Sequence, residues 1–475
     1  MLALVACTPQ SDVAAQRAVL DGYRRIAAAA YADSLQTAQT LHAAARKLVD
    51  APGPETLDAA RAAWIAARRP YAQTEALRFG NWVVDDWEAQ VNAWPLDEGL
   101  IDYVDDGYAG AGDNLLAHAD LIHADAVMLG GIRVDTTQLN PALLAQLQRQ
   151  APVETAVAVG YHAVEFLLWG QDRSATGPGA RPWTDYARDD DVCTDGTHAA
   201  GSARSCRRRG DYLLAVTQLL VADLLQMQPH WSDAVGSYGM RLVRGDPKDG
   251  LRRVLYGMAT LAAAELAGER IEVALQTRAQ EEEQDCFSDQ THASLRANLQ
   301  GIANFWRGRY ARSGGDTIEV PALRTLVAAS DAALSARIDE HLRHSIEAAD
   351  AVVAAVETGA PVDQQILGGG EALARLAGSL RALGSALEAV GPALRLGPLN
   401  PASATALAAA PGGATTAIKR TPDEPLQRDA FSQPAANLSA DERARFFVGN
   451  SFFEMAWVAA PSSTVARDGL GPLYN

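Results

Sequence analysis

Gly160-Tyr161-His162-Ala163-Val164-Glu165-Phe166-Leu167-Leu168-Trp169-Gly170 is the stretch from which the fold and the function of this chain are best read. Taken with the residues before it, it predicts a helix from Pro152 to Trp169 whose Val153, Val157, Val159, Val164, Phe166, Leu167 and Leu168 cover most of the circumference, so the helix belongs in an interior. His162 and Glu165 are three residues apart and project from one face. An ionised carboxylate in such surroundings costs several kcal/mol unless it is paired, hydrogen-bonded or bound to a metal. Gly160 is unfavourable inside a helix and marks a close approach by another backbone or a ligand. The pair can equally bond to polar groups on a neighbouring helix and hold a bundle together. Spacing alone does not decide, because His344-Ser345-Ile346-Glu347 repeats it among Glu340, His341, Arg343 and Asp350, where a solvated helix face is expected.

The flanking sequence is helical in both directions. Val19, Tyr23, Ile26, Leu35, Leu41 and Leu48 give a helical period from Asp12 to about Val49, which Pro52-Gly53-Pro54 stops. A second helix carries Leu57, Ala60, Trp64 and Ala67, and Pro70 should kink or end it. Asn92-Ala93-Trp94-Pro95-Leu96-Asp97-Glu98-Gly99 breaks the period as a loop rich in carboxylates. Asn140-Pro141, Ala151-Pro152 and Asp246-Pro247 have the form of helix starts. Further helices are expected from Asp211 to Gln226, Asp289 to Arg309, Pro321 to Val356 and Glu371 to Leu394. The fold class is therefore all-α, two helical bundles over 12–230 and 231–396, preceded by a short leader at 1–11. A linker rich in Pro, Ala and Gly follows at 397–420, and then an irregular, largely non-helical tail at 421–475.

The chain has 475 residues, 48% hydrophobic, and a formal charge of −17. That length buries a sizeable core, and that charge opposes nucleic acid and anionic lipid surfaces while favouring cations. Leu4-Val5-Ala6-Cys7 has the form of a lipoprotein processing site, so Cys7 is expected to be lipidated on the periplasmic side of a cell envelope; this anchor is the expected membrane contact. In that oxidising compartment Cys193 and Cys206 are expected to form a disulfide, worth roughly 3 kcal/mol for so short a loop. A metal clip including His198 is the rival arrangement, and Cys286 is left as a buried thiol.

The Gly160–Gly170 motif closely resembles the signature of imelysin-like proteins, including those called iron-regulated protein A. Trp64 to Arg68, Pro70-Tyr71, Thr74-Glu75 with Arg78-Phe79, Asn92 to Tyr103, and Cys286-Phe287-Ser288-Asp289-Gln290-Thr291-His292 agree in order, so the resemblance runs from about residue 15 to 395. It implies an exported, two-domain helical protein of bacterial iron uptake, with a site at the domain interface containing His162 and Glu165. Gly160, Glu75, Arg78, Asp97, Glu98, Asp102 and His292 are the candidates to complete that site. Imidazole and carboxylate suit iron, with zinc the alternative ion. The same resemblance raises a metallopeptidase, since the family name derives from an insulin-cleaving activity. Helical zinc peptidases use His-Glu-x-x-His or His-x-x-Glu-His, and Phe166 follows Glu165 here, so further zinc ligands would have to come from afar. The tail, with Phe446-Phe447-Val448-Gly449-Asn450 and Ala460-Pro461-Ser462-Ser463, resembles the opening of di-haem oxidoreductases. It carries no Cys-x-x-Cys-His, so no covalent haem is expected in this chain. A fusion remnant is the expectation there, and a non-catalytic partner of an envelope di-haem redox or transport protein is a third functional reading.

Overall fold

The computed structural model describes residues 9–399 except 109, 111–113, 130, 152, 154, 175, 196–201, 279–281 and 398. Cys7, His198 and the tail from 421 lie outside the described residues, as does most of the 397–420 linker.

The first periodic run forms one long helix, α1 (Pro9–Asp50). Pro54 opens α2 (Pro54–Ala72), which buries Leu57, Ala60, Trp64 and Ala67 and ends two residues after Pro70. Short helices α3 (Trp82–Glu88) and α4 (Glu98–Ile101) follow, then an antiparallel hairpin of β1 (Ala126–Leu129) and β2 (Ile132–Asp135). Asn140 caps α5 (Pro141–Arg149) by accepting from the Leu143 N–H at 3.1 Å. Then come α6 (Gly160–Trp169), α7 (Ala203–Trp231), α8 (Tyr238–Arg244) and α9 (Pro247–Thr260). α9 runs on through a wide π-helical stretch, Leu261–Glu272, into α10 (Val273–Thr277). After α11 (Thr291–Arg307) a second hairpin, β3 (Arg309–Ala311) with β4 (Thr317–Glu319), leads to α12 (Leu323–Ser330) and α13 (Ala332–Glu357). The described chain closes with α14 (Val362–Leu367), α15 (Glu371–Glu388) and α16 (Val390–Ala393).

Helices therefore dominate, as the composition predicts. α1 packs along α2 and α7, and α6 lies against both α2 and α7. α15 packs on α13, α9 and the π-helical stretch, while α11 bridges α13 to α2. One continuous apolar core runs through both groups, from Leu20 and Trp64 to Leu342 and Leu383. Among the described residues no helix is long and apolar enough to cross a bilayer.

The structure corrects the start of the central helix, expected at Pro152. Val159 is extended, Gly160 has φ +87°, and α6 begins there. The preceding residues are held extended: Thr155 O accepts from the Asp97 N–H, the Ala158 N–H donates to Gln148 Oε1, and Ala158 O accepts from the Tyr212 hydroxyl, each at 2.9 Å. A Cβ on Gly160 would lie 2.6 Å from Val91 O, the oxygen that accepts from the Tyr161 N–H at 2.8 Å. The glycine thus marks a close backbone approach, at the mouth of the helix and not within it.

Candidate functional site

Every residue of α6 is buried, and His162 and Glu165 are 0% exposed. His162 Nδ1 lies 3.1 Å from Glu165 Oε2 and 3.6 Å from Asp285 Oδ1, and Asp285 is also 0% exposed. Asp285 comes from the 282–290 loop ahead of α11, more than a hundred residues away in sequence. That loop also fixes Glu165 from behind: the Ser288 N–H and hydroxyl donate to Oε1 at 2.9 and 2.6 Å, leaving Oε2 to face the imidazole. Such outer bonds orient a ligand carboxylate in the way metal sites require.

Arg68, on the buried side of α2, closes the cluster. Its Nε donates to Asp285 Oδ1 at 3.1 Å, Nη1 donates to Asn92 Oδ1 at 2.5 Å, and Nη2 approaches His162 Nε2 at 3.5 Å. The imidazole is neutral: burial, then Arg68, push its pKa down to about 3. Nε2 is accordingly the acceptor toward Arg68, and Nδ1–H points at the carboxylates. Burial, reinforced by Asp285, holds the Glu165 carboxyl well above the ordinary carboxylate range despite its bonds from Ser288. Burial acts to raise Asp285 as well, but Arg68 and His162 outweigh it and keep that group below its usual value.

From Arg68 a line of alternating charges continues. Glu75 lies 4.0 Å away and pairs with Arg270; Arg270 Nη2 is 2.8 Å from Glu265; and Glu265 is 3.7 Å from Arg78, which also meets Asp85 and Glu88. The wide helical turn is what brings Glu265 and Arg270, five residues apart, onto one face.

The expected site residues therefore divide. Glu75 and Arg78 belong to the charge line that ends at the His162 cluster. Gly160 sets the entry of α6. Asp97 is elsewhere, accepting from the Tyr108 hydroxyl, Asn114 Nδ2 and Thr155 Oγ at 2.9, 2.6 and 2.7 Å. Glu98 accepts from Gln171. Asp102 sits in a second buried cluster, taking bonds from Arg209 Nε at 2.5 Å, Arg209 Nη2 at 2.8 Å and Arg181 Nη1 at 2.7 Å. His292, at the start of α11, is partly buried and stays outside the His162, Glu165 and Asp285 group. Sequence reasoning passed over Asp285, Arg68 and Ser288. Two of these lay inside matched motifs, and Asp285 stands one position before the Cys286 motif.

The control behaves as its surroundings suggest. His344 and Glu347 are exposed and engaged by Arg343, at 2.6 and 2.7 Å. Cys193 and Cys206 are disulfide-bonded, and Cys286 is a partly buried free thiol.

The donor set of the His162 cluster suits a metal ion. One nitrogen and two carboxylates offer ligand atoms within 4.8 Å of one another, and Asp285 Oδ2 has no hydrogen-bond partner. Arg68 is the competing cation. A small cavity of about 10 Å³, room for a single water, lies on the outer side of Arg68, lined by Trp64, Ile65, Gln290 and Ser294.

The family model for Imelysin matches residues 27–387. The chain belongs to the imelysin family. A crystal structure described as a candidate iron-regulated protein A precursor from Parabacteroides distasonis shares this imelysin's fold, with a TM-score of 0.57 at 16% identity over 80% of this chain and 95% of that one. An imelysin-like protein from Psychrobacter arcticus gives a TM-score of 0.48 at 17% identity over 78% of this chain and 94% of its own. Residues 406–475 of this imelysin match a second family model, that of di-haem oxidoreductases. No curated protein matches the chain.

Proposed function

We propose that this imelysin is an exported iron-binding protein of the bacterial cell envelope, anchored through Cys7 and serving iron uptake. The ion is held by His162, Glu165 and Asp285, where α2, α6 and the 282–290 loop meet. One observation carries this reading: three side chains of ligand type, all fully buried, converge within 4.8 Å and leave Asp285 Oδ2 unsatisfied. The iron-regulated protein described for the solved relative supports iron over zinc. For an ion to replace the Nδ1 proton of His162, the imidazole must carry its proton on Nε2, so Arg68 must draw back from that nitrogen. Arg68 thereby makes uptake conditional, which suits a carrier better than a permanent centre.

The alternative is a zinc metallopeptidase. Burial weighs against it, because His162, Glu165 and Asp285 are all 0% exposed and a polypeptide cannot reach Glu165 in this packing. The further alternative, a passive partner of an envelope di-haem redox or transport protein, is favoured by the match over 406–475. Titrating chelator-treated full-length protein with Fe²⁺ under argon, and separately with Zn²⁺, separates the three. Stoichiometric Fe²⁺ binding that is lost in His162→Ala and Asp285→Asn is expected, with unfolded polypeptide substrates left intact. Cleavage that is lost in Glu165→Gln assigns the peptidase, and an absence of bound metal assigns the passive partner.

A further inference from the structure

The loop that supplies Asp285 and Ser288 has a second set of carboxylates on it. Glu283 and Asp289 belong to the same 282–290 turn, and they meet Asp363 from α14. Their ligand oxygens lie within 4.8 Å of one another, and the three residues are 1%, 7% and 2% exposed. Glu283 Oε1 and Asp289 Oδ1 are buried without any hydrogen-bond partner. Asp172, just past the end of α6, is close enough to repel both Glu283 and Asp289.

This differs from the His162 cluster in one respect. There Arg68 answers Asp285; here, among the described residues, no Arg, Lys or His forms an ion pair with Glu283 or Asp289. Buried like charges at this spacing are not tolerated unless a proton or a cation is supplied. Two orphaned oxygens, on side chains more than nine-tenths buried within a group whose ligand atoms lie inside 4.8 Å of one another, call for a missing partner.

We infer that Glu283, Asp289 and Asp363 form a separate structural site for a hard divalent cation of the calcium type. The donors are all oxygen, with neither nitrogen nor sulfur among them, which disfavours iron and zinc in comparison with the His162 cluster. Calcium accepts irregular oxygen sets completed by backbone carbonyls or water, whereas magnesium demands a near-ideal octahedron. Such an ion ties the 282–290 loop to α14. Because the other face of that loop presents Asp285 and Ser288, the ion also fixes the geometry around Glu165. The inference stands independently of what the His162 cluster binds.

The test is calorimetric titration of chelator-treated full-length protein with CaCl₂, paired with thermal melts in CaCl₂ and in EGTA. Wild type is expected to bind one Ca²⁺ at this site, with affinity reduced at least tenfold in Glu283→Gln/Asp289→Asn and kept in His162→Ala/Glu165→Gln. Calcium should raise the melting temperature of wild type and leave that of the Glu283→Gln/Asp289→Asn protein unmoved. In EGTA the amide variant should melt no lower than wild type, because it relieves a repulsion and breaks no pair. Equal Ca²⁺ binding by wild type and the amide variant overturns the inference. So does failure of wild type to bind at millimolar Ca²⁺, or an amide variant that melts lower in EGTA.

Discussion

Replacing Arg68 with methionine keeps most of the aliphatic volume and removes the cation paired directly with Asp285. Arg68 is 3% exposed at its side chain and Asp285 0%. The substitution removes the 3.1 Å pair with Asp285, the 2.5 Å bond to Asn92 and the 3.5 Å approach to His162. Asp285 Oδ2 already lacks a partner, so the carboxylate is left with only the His162 Nδ1–H, 3.6 Å from Oδ1, and the more distant Arg270. Breaking a buried pair from one side costs about 3–5 kcal/mol, a large share of a stability of about 5–15 kcal/mol. Asp285 can escape only by taking up a proton. Its folded pKa then rises above the unfolded value, so the loss grows as pH increases from 5 to 8. A divalent ion supplies what the arginine did, and at a free concentration a hundredfold above Kd it returns about 2.7 kcal/mol. Urea unfolding with and without Fe²⁺ or Zn²⁺ measures both effects. The variant should also bind the ion about tenfold more tightly than wild type, since Arg68 no longer competes for His162. A variant as stable as wild type, or one whose loss no metal restores, refutes this account of Arg68 and returns the cluster to a purely structural role.

Further outcomes follow from the same geometry. Burial holds the Glu165 carboxyl above its usual range, so metal binding, which takes the carboxylate form, should tighten with rising pH and release protons; calorimetry in buffers of different ionisation enthalpy measures this. His162, with its folded pKa depressed to about 3, contributes stability that is complete above about pH 6.5 and is lost as pH falls from there toward 3, which a series of urea melts records. Gly160→Ala places a Cβ 2.6 Å from Val91 O at a φ of +87° and should cost about 3 kcal/mol in denaturant unfolding. Asp102→Asn should cost about 3 kcal/mol by removing the carboxylate that Arg181 and Arg209 share, leaving them only Asp185 and Asp195, yet leave metal affinity unchanged.

The legibility of this chain depended on how local each signal was. His162 and Glu165 could be read because a helix places residues three apart together and their apolar neighbours announced burial. Asp285 could not: it ends a run of Glu281-Glu282-Glu283-Gln284, which in sequence has the form of a solvated acidic segment. Only the packing of the 282–290 loop against α6 and α2 buries it. Asp97, Glu98 and Asp102 were attractive as carboxylates in matched motifs, but polar residues within a motif serve loops and ion clusters as readily as sites. The start of α6 was misplaced because Pro152 is a strong helix opener, whereas the backbone conformation that excludes it, the positive φ of Gly160, is set by the approach of Val91. The helical class was robust because long apolar periods such as those ending at Pro52, Gly170 and Gly308 ran uninterrupted up to a proline or glycine.

The most direct test of the iron-binding claim is anomalous diffraction at the iron edge from crystals of the full chain grown with Fe²⁺ under argon. The account predicts a single strong peak bounded by His162 Nδ1, Glu165 Oε2 and Asp285, with Arg68 withdrawn from the imidazole. Iron-free density with Arg68 still seated between His162 and Asp285, or an iron peak at other ligands, contradicts it.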